Sequence, residues 1–232
     1  MSHSLGYLVA AALPIAYIEL PALLDLLARR IFAVPGTSTE VRQHIRQWSP
    51  HIALALMAML MWSVARDAAL IAAAGRNVWS MTALGLLIGL SWSALSFLLR
   101  LLVMTTPTES SGSGPDAQLR TTYWLPLILT APLVEELWRV YCLVAVGDRG
   151  TLEPTAITAA AFAWAHARSA GTATRALLFG LLMAGLFWWK QSLLSMVITH
   201  LTANICTFVM LRNSVNRAPR VTQARYSEPT LY

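Results

Sequence analysis

The stretch Ala131-Pro-Leu-Val-Glu-Glu-Leu-Trp-Arg-Val-Tyr-Cys142 sets two glutamates and an arginine in the middle of an apolar run covering residues 122–147. A helix of about 20 residues crosses a bilayer core of roughly 30 Å, so this run is long enough to span a membrane. Each charge at mid-span costs on the order of 2.5–3.5 kcal/mol on insertion scales. Three uncompensated charges would together approach the stability of a whole domain, about 5–15 kcal/mol. On a helix Arg139 stands one turn from both Glu135 (four residues back) and Glu136 (three residues back), so it can neutralise one of them. The bland explanation is a buried ion pair that fixes helix packing. That accounts for one glutamate and leaves the doublet unexplained. The second carboxylate, in a low-dielectric site beside a like charge, is in a setting that suits a general base.

The rest of the chain has the composition of a membrane protein. Of its 232 residues 56% are hydrophobic and 12% charged, with a mean hydropathy of +0.57. An ordinary soluble domain carries roughly 25% charged residues. Too little polar surface remains to cover a globule, which excludes a soluble domain and a disordered chain alike. Seven apolar segments, approximately 5–28, 51–74, 80–104, 122–147, 154–167, 176–189 and 191–211, predict an all-α, polytopic transmembrane bundle of about seven helices, within a range of six to eight. The fifth and sixth are only 14 residues long, so each is expected to be tilted, buried in protein or re-entrant. Residues 1–211 form one integral-membrane domain with a motif-bearing core at 119–211, and 212–232 a polar, disordered cytoplasmic tail. Thr105–Gln118, rich in Thr, Ser, Gly and Pro, reads as a flexible loop. The N-terminal run lacks a basic flank and includes Glu19 and Asp25, so it is expected to stay as the first helix and not to be cleaved as a signal peptide.

Of the 17 basic residues all but Lys190 are arginines, lying mostly in short segments between apolar runs. No basic tract or zinc-finger spacing accompanies them, so nucleic acid is not an expected partner. With the N-terminus outside, one face receives Arg29, Arg30, Arg42, Arg46, Arg100, Arg120, Arg168, Arg175, Arg212, Arg217, Arg220 and Arg225. The other receives Arg66, Arg76, Arg149 and Lys190. The positive-inside rule makes the first face cytoplasmic, and the C-terminus with it. The paucity of Lys beside abundant Ala, Arg and Trp hints at a high-GC bacterial genome, and the membrane expected is the bacterial inner (plasma) membrane. Cys142 and Cys206 lie within apolar runs and read as small buried thiols, not as a disulfide.

Two further helices bring polar groups to membrane depth. Phe162-Ala-Trp-Ala-His166 ends the fifth apolar run on a histidine, and His200-Leu-Thr-Ala-Asn204 places a His and an Asn one turn apart on the seventh. Alone, each His would more often be a hydrogen-bonded residue of the bundle. Together with Glu135, Glu136 and Arg139 they imply a polar cavity inside it. His3, His44 and His51 occupy terminal or loop positions and carry no assignment. No Walker-type loop, Gly-x-Ser-x-Gly elbow or His-Glu-x-x-His motif is present. Gly89-Leu-Ser-Trp92 is only half of a rhomboid-type serine motif, and Ser91 reads as a helix-packing serine. What remains is water activation. A Glu takes a proton from water held jointly with a His, the hydroxide attacks a carbonyl, and His and Asn donors hold the oxyanion. No cofactor or metal is called for.

A Glu-Glu doublet followed by Arg, then Phe-x-x-x-His, then His-x-x-x-Asn on successive helices resembles the signature of the CPBP family. These are the CAAX-protease and bacteriocin-processing (Abi) glutamic intramembrane proteases, which include the type II CAAX prenyl endopeptidases. Ala176–His200 is also similar to the family's approach to its last motif, and the resemblance covers about Leu119 to Leu211. It implies that Glu135 is the general base sharing the attacking water with His166, and that His200 and Asn204 form the oxyanion hole. Glu136 and Arg139 would support the site by pairing and orientation, and Phe162 would pack beneath His166. The family's arginine follows the second Glu by four residues. Here Arg139 follows by three, Val140 takes the expected place, and the Gly that follows the family's arginine is missing. Arg139 is therefore open to pairing with either glutamate.

The function expected is that of an intramembrane endopeptidase, cutting a membrane-anchored protein or peptide near the bilayer surface without a metal. Two alternatives use the same residues. In one, Glu135, His166 and His200 ligate Zn²⁺. In the other, the cavity belongs to a non-enzymatic immunity, binding or carrier protein. Substrate identity and oligomeric state have no signature in the sequence.

Overall fold

The structure, a computed structural model, describes residues 77–103, 121–145, 150–167 and 169–217, with scattered positions within 8–26 and 51–59. The described residues are helical apart from short junctions, with no strand among them. Five helices are described from end to end: α1 Val78–Val103, α2 Thr121–Ala145, α3 Leu152–Ala165, α4 Ala170–Lys190 and α5 Leu193–Arg217. They correspond to the third through seventh apolar segments. Most of the first two segments, the loop Thr105–Gln118 and the chain after residue 217 lie outside the described residues. The last helix continues to Arg217, past the end of the seventh apolar segment at Leu211. Val78–Leu99, Ala170–Lys190 and Leu193–Met210 are long and apolar enough to cross a membrane. The protein is an all-helical integral membrane protein.

The sixth apolar segment is longer as a helix than its hydropathy predicts. Its 14 apolar residues extend to the 21 of α4. The added turns run through Thr172, Thr174 and Arg175, polar residues that a hydropathy window discounts. A capping box begins them: Ser169 Oγ accepts from the Thr172 amide, and Thr172 Oγ1 accepts from the Ser169 amide at 2.8 Å. The fifth segment does remain short, at 14 residues in α3, with Thr158, Ala159 and Phe162 buried in the bundle. A left-handed Gln191 (φ 46°) turns the chain from α4 into α5.

Two seams decide where the polar residues end up. α1 packs along α5, and α3 along α4. A Cβ on Gly85 would come within 2.8 Å of Ile198 Cβ and of the Ser195 carbonyl, and one on Gly89 within 2.7 Å of the Thr199 carbonyl. Only glycine allows helices this close. Thr199 Oγ1 donates to the Ser195 carbonyl at 2.7 Å and lies 3.2 Å from the Gly85 carbonyl across the seam. Gly85 meets Ser195 and Ile198 while Gly89 meets Thr199 and Thr202, so α1 and α5 run parallel. The alternation of spans requires that of the third and seventh segments. On the other seam Gly180 touches Ala159, and Trp188 Nε1 donates to Thr155 Oγ1 at 2.9 Å, which makes α3 and α4 antiparallel. α2 lies against α5 and α3, with Trp138, Leu143, Met183 and Met196 buried among the helices.

Candidate active site

α2 delivers its three charges to the interior. Glu136 and Arg139 have no exposed surface, and Glu135 retains 2%. The pairing left open above falls to the nearer glutamate in sequence: Arg139 Nε donates to Glu136 Oε2 at 2.9 Å. Its guanidinium also stacks 4.6 Å from the Phe162 ring centroid, a cation–π contact that offsets part of the desolvation. Nη1 and Nη2 of Arg139 have no hydrogen-bond partner among the described residues, nor does the Tyr141 hydroxyl. The other oxygen of Glu136 accepts from His200 Nδ1 at 2.7 Å. Glu136 is thus fully engaged, between an arginine on its own helix and a histidine on α5.

Glu135, one residue earlier, points to a different pair of groups. Its Oε1 lies 3.9 Å from His166 Nε2 and its Oε2 lies 3.4 Å from His200 Nε2. His166 stands at the C-cap of α3, where its amide closes the helix on the Phe162 and Ala163 carbonyls. Its ring Nδ1 is 2.9 Å from the Phe162 carbonyl, which can only accept, so Nδ1 carries the proton. The ring stacks on Phe162 at 4.3 Å between centroids. By the same logic the Glu136 carboxylate fixes the proton of His200 on Nδ1. Each imidazole therefore turns its Nε2 toward Glu135. Phe162 and Phe179 box in the His200 ring edge-on, at 5.8 and 4.9 Å.

A cavity of about 690 Å³ opens beside these groups. His166, His200 and Asn204 lie on its walls, together with Trp92, Phe162, Trp164, Phe179, Thr172 and Arg175. Neither glutamate is a wall residue, so Glu135 reaches the cavity only past the imidazoles. Asn204 is half-buried, one turn beyond His200. All six residues singled out in the sequence thus occupy one region. Among the described residues no three His, Cys, Asp or Glu side chains form a metal-ligand group. Ser91 is exposed, contrary to its expected packing role. Ser93 is the buried serine, donating to the Gly89 carbonyl at 2.8 Å. Cys142 is buried and Cys206 half-buried, both as free thiols.

The sequence reading did not single out Trp92, Thr172, Arg175 and Phe179. Phe179 and Trp92 are indistinguishable from ordinary apolar residues of their helices until α1 and α4 are packed. Arg175 was counted only as an orienting charge. The signal available was its position, nine residues after His166, in a helix that starts with a Ser-x-x-Thr cap.

Residues 117–206 match the family model described as type II CAAX prenyl endopeptidase Rce1-like, the family that the three motifs resemble. The match takes in α2, α3, α4 and the His200–Asn204 turn of α5. Neither the curated proteins nor the solved structures contain a significant match to the chain.

Proposed function

We infer, from the match of residues 117–206 to the Rce1-like family model and from the geometry of the site, that this membrane protein is a glutamic intramembrane endopeptidase. The observation that carries the reading is the meeting of a buried carboxylate with two imidazoles. Nε2 of His200 and Nε2 of His166 face Glu135 at 3.4 and 3.9 Å. Groups so placed can share one water molecule, which donates to the carboxylate and is held by an imidazole nitrogen. Glu135 takes one proton of that water as general base while His166 holds the oxygen, the hydroxide adds to a peptide carbonyl entering from the cavity, and Glu135 returns the proton to the amine nitrogen as the C–N bond breaks. His200 and Asn204 hold the carbonyl oxygen as it gains charge. For this His200 carries a proton on Nε2 as well as on Nδ1, between the Glu135 and Glu136 carboxylates. The buried Glu136, accepting at Nδ1, favours the doubly protonated ring in the transition state. Glu136 and Arg139 orient the site without touching substrate.

The substrate is a protein or peptide held at the membrane. The cavity is lined from the C-terminal half of α1, the C-terminal end of α3 and the N-terminal part of α4, toward the arginine-rich side assigned to the cytoplasm. The bundle has about seven helices in a bacterial inner membrane, with the C-terminus cytoplasmic. The test is a cleavage assay in liposomes on membrane-anchored peptides, comparing wild type with Glu135→Gln, His166→Ala, His200→Ala and Asn204→Ala, each with and without chelator. Wild type is expected to release fragments in the presence of chelator, and Glu135→Gln to release none. Activity lost with chelator and restored by zinc would move the assignment to a metallopeptidase. Activity in Glu135→Gln would remove the base.

A further inference from the structure

The cavity has a feature that the hydrolytic chemistry does not use. Arg175 is on its wall, half-buried, and among the described residues no Asp or Glu shares that wall. Arg175 forms no ion pair with a described carboxylate: Glu136 is taken by Arg139 and His200, and Glu135 faces the two imidazoles. It lies on one face of α4 with Thr172 and Phe179, a turn from each. Phe179 packs edge-on to His200 at 4.9 Å, so this face leads from Thr172 to the proposed oxyanion hole in two helical turns. A guanidinium with no described carboxylate partner, on an aromatic wall that Thr172, Thr207 and Asn204 share, suits a carboxylate.

We propose that Arg175 is a specificity residue of this cavity, pairing with a carboxylate that the substrate carries within a few residues of the bond to be cut. This rests on the peptidase reading of the same site. The carboxylate is either the chain end of the substrate or an Asp or Glu side chain within it. Both offer two oxygens to the planar guanidinium, and both would fix the register of the peptide against His200.

The test separates binding from turnover. The full-length protein carrying Glu135→Gln, which cannot cut, is titrated in detergent with dansylated tetrapeptides of Ala and Leu. Three forms are used: free acid, C-terminal amide, and amide with one internal Asp. Fluorescence anisotropy should show at least one carboxylate form binding about tenfold or more tighter than the neutral amide. The form that gains identifies the source of the carboxylate. The preference should vanish in Glu135→Gln/Arg175→Gln and persist in part in Glu135→Gln/Arg175→Lys. Equal binding of all three forms, binding of none, or a preference that survives Arg175→Gln overturns the proposal. Carboxylate-selective binding in a protein whose wild type cuts no peptide would sink the peptidase reading and leave the Arg175 site standing. Wild-type cleavage of acid and amide forms at equal kcat/KM would do the reverse.

Discussion

The two adjacent glutamates have opposite surroundings, and their amide variants should separate their roles. Glu136 accepts from Arg139 and from His200, so Glu136→Gln leaves a buried guanidinium without its counter-charge. Breaking such a pair costs about 3–5 kcal/mol. Glu136→Gln is therefore expected to lower the melting temperature markedly, while the folded fraction retains measurable turnover. Glu135 faces two imidazole Nε2 atoms, and an amide there can donate to a ring nitrogen or accept from a ring N–H. Glu135→Gln should keep or raise the melting temperature and lower kcat by roughly 10²–10⁴, the contribution of a general base. Thermal melts and fragment release on the two proteins check both halves. The opposite pattern, an inactive but stable Glu136→Gln beside an active Glu135→Gln, would exchange the two roles. Asn204→Ala should be milder, with a kcat loss of about 10²–10³ if its amide holds the oxyanion. At this scale the sequence was legible because charges in an apolar helix are costly enough to need a reason. It left the partner of Arg139 open because helix spacing allows both carboxylates. The His200 Nδ1 contact to Glu136 and the Phe162 ring against the Arg139 guanidinium, both from other helices, settle what spacing does not.

Between helices the site depends on seams that carry no chemistry themselves. α5 brings in His200 and Asn204, and its height against α1 is set where Gly85 and Gly89 meet Ser195, Ile198, Thr199 and Thr202. A methyl group on Gly89 would meet backbone at 2.7 Å, so the helices must part. Gly89→Ala is expected to cost about 1–3 kcal/mol by overpacking and to reduce kcat beyond what the lost folded protein explains. A matched substitution at Gly171, with open space around it, should be nearly neutral for activity. At the α4–α5 junction Gln191 adopts a left-handed conformation, so Gln191→Gly should be tolerated and Gln191→Val should destabilise. Chemical-denaturant melts in detergent would rank these proteins. The helices themselves were legible as apolar runs, and the seams were not. Gly85, Gly89 and Gly180 are three of 12 glycines, and nothing local distinguishes a packing glycine from one facing lipid. The length of α4 was misjudged for a related reason, since a helix that begins near the membrane surface starts with polar turns.

For the whole molecule, the parity of the spans and the absolute direction of the chain rest on different observations. Parallel α1 and α5, with antiparallel α3 and α4, put the C-terminal ends of α1, α3 and α5 and the N-terminal end of α4 on one face. Gly150, before α3, and the α4–α5 turn at Gln191 take the other. Which face is cytoplasmic depends on arginine placement, and positions 175, 212 and 217 fall with the first group. A fluorescent protein that folds only in the cytoplasm should therefore light up when fused after residue 217 or inserted in 104–120, and stay dark at Gly150. A phosphatase that folds only outside should give the converse. The cavity wall then supplies a finer measurement. In a protein with Cys142 and Cys206 replaced by Ala, Thr172→Cys should react with a membrane-impermeant thiol reagent applied from the cytoplasmic side of inverted vesicles. It should be protected when the reagent is applied to intact cells. Reporters that follow this parity but with both signs reversed would keep the bundle and move the cavity to the outer face. A bright reporter at both Gly150 and residue 217 would break the parallel pairing of α1 and α5 on which the placement of His200 depends.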